Sequence, residues 1–260
     1  MIWNFDPVAI SFLGFKVYWY GILFALAIIS GLQTMQVIYR REKMPLDHLY
    51  DQLVNLFIGI IIGARLVECL FYYPQYYLNN PLKIFAIWEG GLASHGGAIG
   101  SIVVVFLYTQ KYKLSFIWIF DRFVISIAIF SFFIRVANFL NSEILGIPTN
   151  VPWAVTFQQV DMLPRHPVQL YEAFTFLGIF ILLVSIYTRS KIIHKGILLG
   201  LFLSLTFVTR FLLEYLKERQ ASYAYDFSFS IGQLLSIPFI LIGILLLVRV
   251  FNKSNKIDIL

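Results

Sequence analysis

FIWIFDRFVISIAIFSFFIRVANF, residues 116–139, carries charge only at Asp121, Arg122 and Arg135. As a helix rising 1.5 Å per residue this stretch is about 36 Å long, enough to cross a hydrocarbon layer of roughly 30 Å. Windows of about twenty residues find six further stretches of the same character. The spans fall near 17–39, 52–72, 94–110, 116–139, 168–188, 196–214 and 229–250. The third is the least apolar, because it opens in a glycine-rich run. The expected fold class is an all-α polytopic membrane protein with about seven transmembrane helices, organised as one domain over residues 1–260.

Composition agrees with that reading. Hydrophobic residues make up 59% of the 260 and charged residues 13%, about half the charge of a soluble domain. Aromatic residues reach 18%, which suits belts at both membrane interfaces. A formal charge of +6 in a soluble chain would raise nucleic acid as a partner. Here the basic residues cluster in short loops between apolar runs, so they set orientation in a lipid bilayer instead. Cys69 is the single cysteine, which rules out an internal disulfide and a CxxC metal site. Its apolar neighbours mark it as packing.

No basic residue precedes Lys16, and the run that follows is too long for the core of a cleavable signal peptide, so the first span is expected to stay. Arg40, Arg41, Lys43, Lys111, Lys113, Arg189, Lys191, Lys195, Arg249, Lys253 and Lys256 fall on one side of the seven spans. Lys16, Lys83, Arg165, Lys217 and Arg219 fall on the other. The positive-inside rule then puts the N-terminus outside and the C-terminus in the cytoplasm. Arg65, Arg122, Arg135 and Arg210 lie within or at the ends of spans, where a charge needs a partner or a task. Arg122 follows Asp121 and is accounted for by pairing or snorkelling. The proline-containing outer loop, about 144–167, is longer than a plain connection needs and is expected to be irregular and functional.

Four polar clusters interrupt the apolar background, and all map to the outer half of the membrane. They are Tyr18-Trp19-Tyr20-Gly21, the run Trp88 to Gly97 containing His95, the group Arg135, Asn138, Asn141 and Glu143, and the pair Arg210 and Glu214. Arg135, Asn138 and Asn141 are spaced by three and share a helix face. An arginine fork beside two amides suits phosphate and glycerol hydroxyls, although an arginine–glutamate pair gluing two helices fits the same residues. Arg210 and Glu214, four apart, pair with each other or else Arg210 faces Arg135 across one anion. His95 sits among Gly90, Gly91, Gly96, Gly97 and Gly100, where backbone comes close and an imidazole is suited to proton transfer. Gly96 and Gly100 form a small-residue face for tight helix packing. His166, before Pro167, reads as a loop-ordering residue.

These residues resemble one family. IRVANFLNSEILG, residues 134–146, is similar to the signature G-R-x-G-N-F-x-N-x-E-x-x-G of the prolipoprotein diacylglyceryl transferases, with Ile134 and Ala137 replacing two glycines. The resemblance extends to WYG at 19–21, WEGGLASHGGAIG at 88–100, RHPVQLYE at 165–172, the Arg210–Glu214 pair and GQLLSIP at 232–238. It implies seven helices with the N-terminus outside, in a bacterial cytoplasmic membrane, and an active site toward the extracytoplasmic face. The implied reaction carries the diacylglyceryl group of phosphatidylglycerol to the lipobox cysteine of a prolipoprotein signal peptide. A thioether forms and glycerol 1-phosphate leaves. By position, Arg135 is the phospholipid-binding arginine, with Asn138, Asn141, Glu143, Gly146 and Tyr20 in the same site, and His95 is the proposed base. Arg210, Glu214, His166, Gln169, Tyr171 and Glu172 match further positions. Thr206 stands where the family often has tyrosine, and Lys217 where it has arginine.

The chemistry implied is displacement at a saturated carbon by sulfur, with negative charge growing on a leaving phosphate oxygen. Arg135 and Arg210 are suited to stabilise that charge. His95, or a thiol acidified by the arginines, would supply the thiolate. No metal or nucleotide motif is present, and no cofactor is expected. The rival from another class is a lipid or small-anion transporter using the same intramembrane arginines.

Overall fold

The computed structural model describes residues 1–12, 14–190, 192–218 and 229–257. Lys191 and Arg219, each part of the charge asymmetry above, lie outside the described residues. The chain divides into two compact units, residues 36–119 and residues 1–35 with 120–260.

Six helices are long and apolar enough to cross a membrane: Trp19–Arg41, Leu46–Tyr72, Phe116–Leu140, Val168–Arg189, Ile197–Leu216 and Ile231–Asn252. The protein is thus a polytopic membrane protein. The helix expected at 94–110 is present at Ser94–Tyr112 but falls outside that set. Its polar, glycine-rich first turns dilute its hydropathy. Outward side chains are apolar, as with Val54 and Phe57, while Gln52, Asp121 and Gln169 are fully buried. That is the reverse of the distribution in a water-soluble protein.

The unit 36–119 holds α2 (Leu46–Val67), prolonged by one π-turn to Tyr72, the short α3 (Pro74–Asn79), two 3-10 turns at Pro81–Phe85 and Ile87–Glu89, and α4 (Ser94–Tyr112). α2 and α4 pack backbone to backbone. A Cβ on Gly96 or Gly100 would run into the main chain of Gly63 or Gly59, so the small-residue face expected at Gly96 and Gly100 is met by a second one. Tyr39 donates to Gln52 Oε1 at 3.0 Å. α2 begins six residues before the apolar run suggested, its first turns carrying the exposed Asp47 and Asp51 around the buried Leu49. Cys69 is buried with a free thiol.

The larger unit opens with strand β1 (Ile2–Trp3) and the hairpin β2 (Val8–Phe12) and β3 (Phe15–Tyr18), then enters α1 (Trp19–Arg41). After α5 (Phe116–Leu140) the loop of about 144–167 carries β4 (Val155–Phe157) and β5 (Pro164–Arg165). β1 pairs in parallel with β4, and β4 antiparallel with β5. Five short strands therefore depart from a purely helical expectation, and the loop is partly ordered as sheet. Phe139, Leu145, Val155 and Phe157 form a small core under it, capped by Trp3, whose ring is tilted against that of Phe139 with centroids 4.5 Å apart. α6 (Val168–Arg189), α7 (Ile197–Leu213, with a 3-10 turn to Leu216) and α8 (Ile231–Ile257) follow. Asp121 of α5 accepts from the N–H groups of Gly196 and Leu199 at 2.6 and 2.8 Å. It satisfies the orphan donors at the start of α7, and Arg122 lies 3.8 Å away. Phe207 and Phe239 stack at 4.4 Å between α7 and α8.

Candidate active site

The last turns of α5 carry Arg135, Asn138 and, just beyond the helix, Asn141. The chain then bends through Ser142 and Ile144, both with φ of 54°. A β-branched residue in the left-handed region costs about 1–3 kcal/mol and persists only where its surroundings over-determine it. Glu143, between the two, supplies the constraint. Its carboxylate accepts from Asn138 Nδ2 at 2.9 Å and from Asn141 Nδ2 at 3.1 Å. Its N–H donates to Asn138 O at 2.9 Å, and its carbonyl accepts from Gln169 Nε2 at 2.5 Å. The sequence placed Glu143 beside the amides; the structure makes it the organiser of their turn. Asn141 Oδ1 and Gln169 Oε1 are left buried with no hydrogen-bond partner.

Arg135 reaches α6. Its Nη1 lies 3.0 Å from Glu172 Oε2, so the helix-gluing pair exists. Glu172 Oε1 accepts from Lys217 Nζ at 2.7 Å, and Lys217 lies 3.6 Å from Glu214. Cation and carboxylate alternate along this row, which links α5, α6 and the end of α7. Among the described residues Arg135 has no hydrogen bond beyond its ion pair. Its remaining donors border a cavity of about 60 Å³, lined by Arg135, Glu172, Thr175, Phe176, Thr206, Phe207, Thr209, Arg210 and Leu213. Arg210, an exposed residue that lines it, carries no ion pair or hydrogen bond among the described residues. The i,i+4 pairing with Glu214 is not made. Glu214 packs instead against the start of α8, where a Cβ on Gly232 would come within 2.6 Å of its Oε1. Two guanidinium groups thus share one cavity with a single carboxylate, leaving it net positive. Thr206 keeps a hydroxyl with no partner there.

Gly146 lies where three segments meet. A Cβ on it would collide with His166 O, and it bridges to Lys217. Close approach rather than backbone conformation requires glycine here. Arg165, which the sequence placed as an outer charge opening the RHPVQLYE stretch, is buried and clamps the loop. It donates to Gly146 O at 3.0 Å and Glu218 at 3.0 Å, and grips Asp161 through Nε and Nη2. The hydrogen bonds from Arg165 hold the Asp161 carboxyl below the ordinary carboxylate range. His166, read as a loop-ordering residue, lies beside Tyr171. Trp153 Nε1 donates to Tyr171 Oη at 2.7 Å, and Tyr171 lies 3.2 Å from His166 Nδ1. Indole N–H can only donate, so the phenol oxygen accepts from Trp153 and its own O–H is available to Nδ1 in the Nε2–H tautomer of His166.

Tyr20 stands in the first turn of α1, partly buried, with no hydrogen bond among the described residues. His95 belongs to the other unit. It is the second residue of α4, exposed, and follows the turn Gly90-Gly91, whose φ angles are 88° and 72°. Among the described residues no group of three metal-ligating side chains occurs.

A family profile described as prolipoprotein diacylglyceryl transferase matches residues 7–249. A protein from Tolumonas auensis named phosphatidylglycerol–prolipoprotein diacylglyceryl transferase is 47% identical, covering 95% of this chain and 96% of its own length. Relatives of the same name from Chloroherpeton thalassium and Porphyromonas gingivalis are 43% and 40% identical. They cover 98% and 95% of this chain, and 96% and 93% of their own lengths.

Proposed function

The chain belongs to the prolipoprotein diacylglyceryl transferase family, and from that premise we propose that it transfers the diacylglyceryl group of phosphatidylglycerol to the lipobox cysteine of a prolipoprotein signal peptide. The observation that carries the reading is the shared cavity of Arg135 and Arg210. In the reaction a C–S bond forms at the glyceryl carbon as its C–O bond to phosphate breaks. The thiol proton goes to a base, and glycerol 1-phosphate departs with the negative charge. Arg135 and Arg210 stabilise that charge in a low-dielectric setting, where fixed cations act most strongly. Glu172 holds Arg135 from behind, so the fork is aimed before the lipid arrives. Asn138, Asn141 and Gly146 complete the phospholipid site with Tyr20. Glu143 fixes the two amides, and Glu214, Gln169, Tyr171 and His166 support the surrounding turns. His95 takes the thiol proton.

The whole chain acts as one transmembrane catalytic domain. It crosses the bacterial cytoplasmic membrane seven times, with α4 as the third crossing, the N-terminus outside and the site toward the extracytoplasmic face. The charge asymmetry of the loops supports this orientation, and the glycine-to-glycine packing of α4 on α2 supports its place among the spans. The loop 144–167 receives the signal peptide near Trp153. The test is purified protein in detergent with phosphatidylglycerol and a lipobox peptide. A diacylglyceryl mass gain on cysteine is expected, absent when that cysteine is serine. Lipid flux without chemical change would refute the assignment.

A further inference from the structure

Arg65 is a buried cation that the proposed chemistry leaves unused. It sits in the last turn of α2, 5% exposed, and among the described residues no carboxylate pairs with it. Its guanidinium lies over the ring of Tyr77, 4.9 Å from the centroid. All its donors go to backbone carbonyls. Nε donates to Ile84 O at 2.9 Å, Nη1 to Gly90 O at 2.7 Å and Gly91 O at 2.9 Å. Nη2 donates to Lys83 O and to Ala86 O. An arginine has five N–H groups, and here each has an acceptor.

The acceptors belong to one segment, the two 3-10 turns and the glycine pair that follows them, and Lys83 O and Ala86 O each also accept a backbone N–H, from Ala86 and Glu89. The side chains of that segment point the other way: Leu82, Phe85 and Trp88 are 83%, 74% and 80% exposed. Arg65 is therefore the polar interior of an inside-out turn. The segment ends at Gly90-Gly91. Both have positive φ, and a Cβ on Gly91 would come 2.9 Å from Arg65 Nη1. Two residues later Ala93 N–H donates to Ala64 O at 3.1 Å, beside Arg65 in sequence. α4 starts at the next residue and His95 is its second. The arginine and its neighbouring carbonyl thus hold both sides of the turn that delivers His95.

We propose that Arg65 is a positioning residue for His95, acting through the backbone of 83–91 rather than through any contact with substrate. The inference rests on the reading of His95 as the base for the thiol. A misplaced base matters only while the thiol is protonated, and a free cysteine ionises near pH 8.5. The experiment is the pH profile of kcat for wild type, Arg65→Gln, Arg65→Lys and His95→Gln, in detergent with saturating phosphatidylglycerol and peptide. At about pH 6.5 Arg65→Gln should lose about 30-fold in kcat, the scale of a small misplacement, with KM for phosphatidylglycerol within about twofold of wild type. At about pH 9.5, where the thiolate forms without help, the deficit should shrink below about threefold. His95→Gln should converge in the same way. Arg65→Lys, with fewer donors and no plane, should show the same convergence at a smaller loss. It serves in place of Arg65→Gln should the latter fail to fold. A deficit of Arg65 variants that is constant with pH, or no deficit, overturns the inference while a converging His95→Gln leaves the base intact. A His95→Gln profile parallel to wild type overturns the base reading itself, and the positioning role with it.

Discussion

Arg65 and Arg135 are both arginines in the apolar part of a membrane protein, yet they are built into it in opposite ways. Arg65 has every donor on a backbone carbonyl and is sealed from solvent. Arg135 has one ion pair, to Glu172, and lines a cavity shared with Arg210. A saturated guanidinium can hold a chain but has nothing left for a ligand. An unsaturated one is costly to keep in such a place and is retained where it binds something. The contrast separates structure from chemistry more sharply than burial or residue type does.

Replacing Arg135 should therefore break the contrast most severely. Arg135→Ala should lower diacylglyceryl transfer by about 10³-fold, since donors aimed at a developing oxyanion are each worth about 10²–10³. Arg135→Lys should lose nearly as much, because an ammonium cannot offer the planar fork. Mass spectrometry of the lipidated peptide over time measures both. A Lys variant with wild-type rate would show that simple positive charge suffices.

Arg210→Ala comes next, at about 10²-fold in kcat. This residue has no other partner among the described residues, so its removal should leave the thermal unfolding midpoint nearly unchanged. A large loss of stability would place it with Arg65 as a structural cation. Glu172→Gln sharpens the comparison from the other side. It leaves Arg135 and Lys217 without their shared carboxylate, and uncompensated buried charge costs about 3–5 kcal/mol. The expected result is a clear fall in thermal midpoint, with a smaller drop in transfer than for Arg135→Ala. Little change in midpoint would mean that the row from Arg135 to Glu214 is not a stabilising unit.

The smallest effect belongs to the loop. The Asp161 carboxyl is held below its ordinary range by Arg165, so its contribution is fully present above the unfolded value of about 3.9 and disappears as pH falls through the lower folded value. Asp161→Asn at neutral pH should raise protease cleavage within 147–163 severalfold while leaving transfer within about twofold. In wild type the same susceptibility should emerge only below about pH 4. Equal cleavage of the two at pH 7 would remove Asp161 from the clamp.

The sequence made the long helices legible because each is an unbroken apolar run, and it grouped Arg135, Asn138 and Asn141 because helix spacing is local. It also singled out Arg65 as a charge needing an explanation. The explanation itself was hidden, since the partners of Arg65 are main-chain carbonyls, which every residue owns alike. The strands were hidden for a related reason. Ile2–Trp3 finds its partner at Thr156–Phe157, and two-residue strands leave no alternation to read. The pairing of Arg135 with Glu172 joins distant segments, whereas the spacing of Arg210 and Glu214 suggested a local pair that is not made. Lys217 was visible as one of the loop charges and as a departure from a family pattern. Its place in the row with Glu172 needed coordinates.

The account is tested most directly by the affinity of the purified protein for phosphatidylglycerol, titrated in detergent into wild type, Arg135→Lys, Arg210→Ala and Arg65→Gln. It predicts affinity weakened at least about tenfold by each change at 135 and 210, the scale of a lost charged hydrogen bond, and unchanged within about twofold by the change at 65. Weakened binding in Arg65→Gln together with wild-type binding in Arg135→Lys and Arg210→Ala would contradict it.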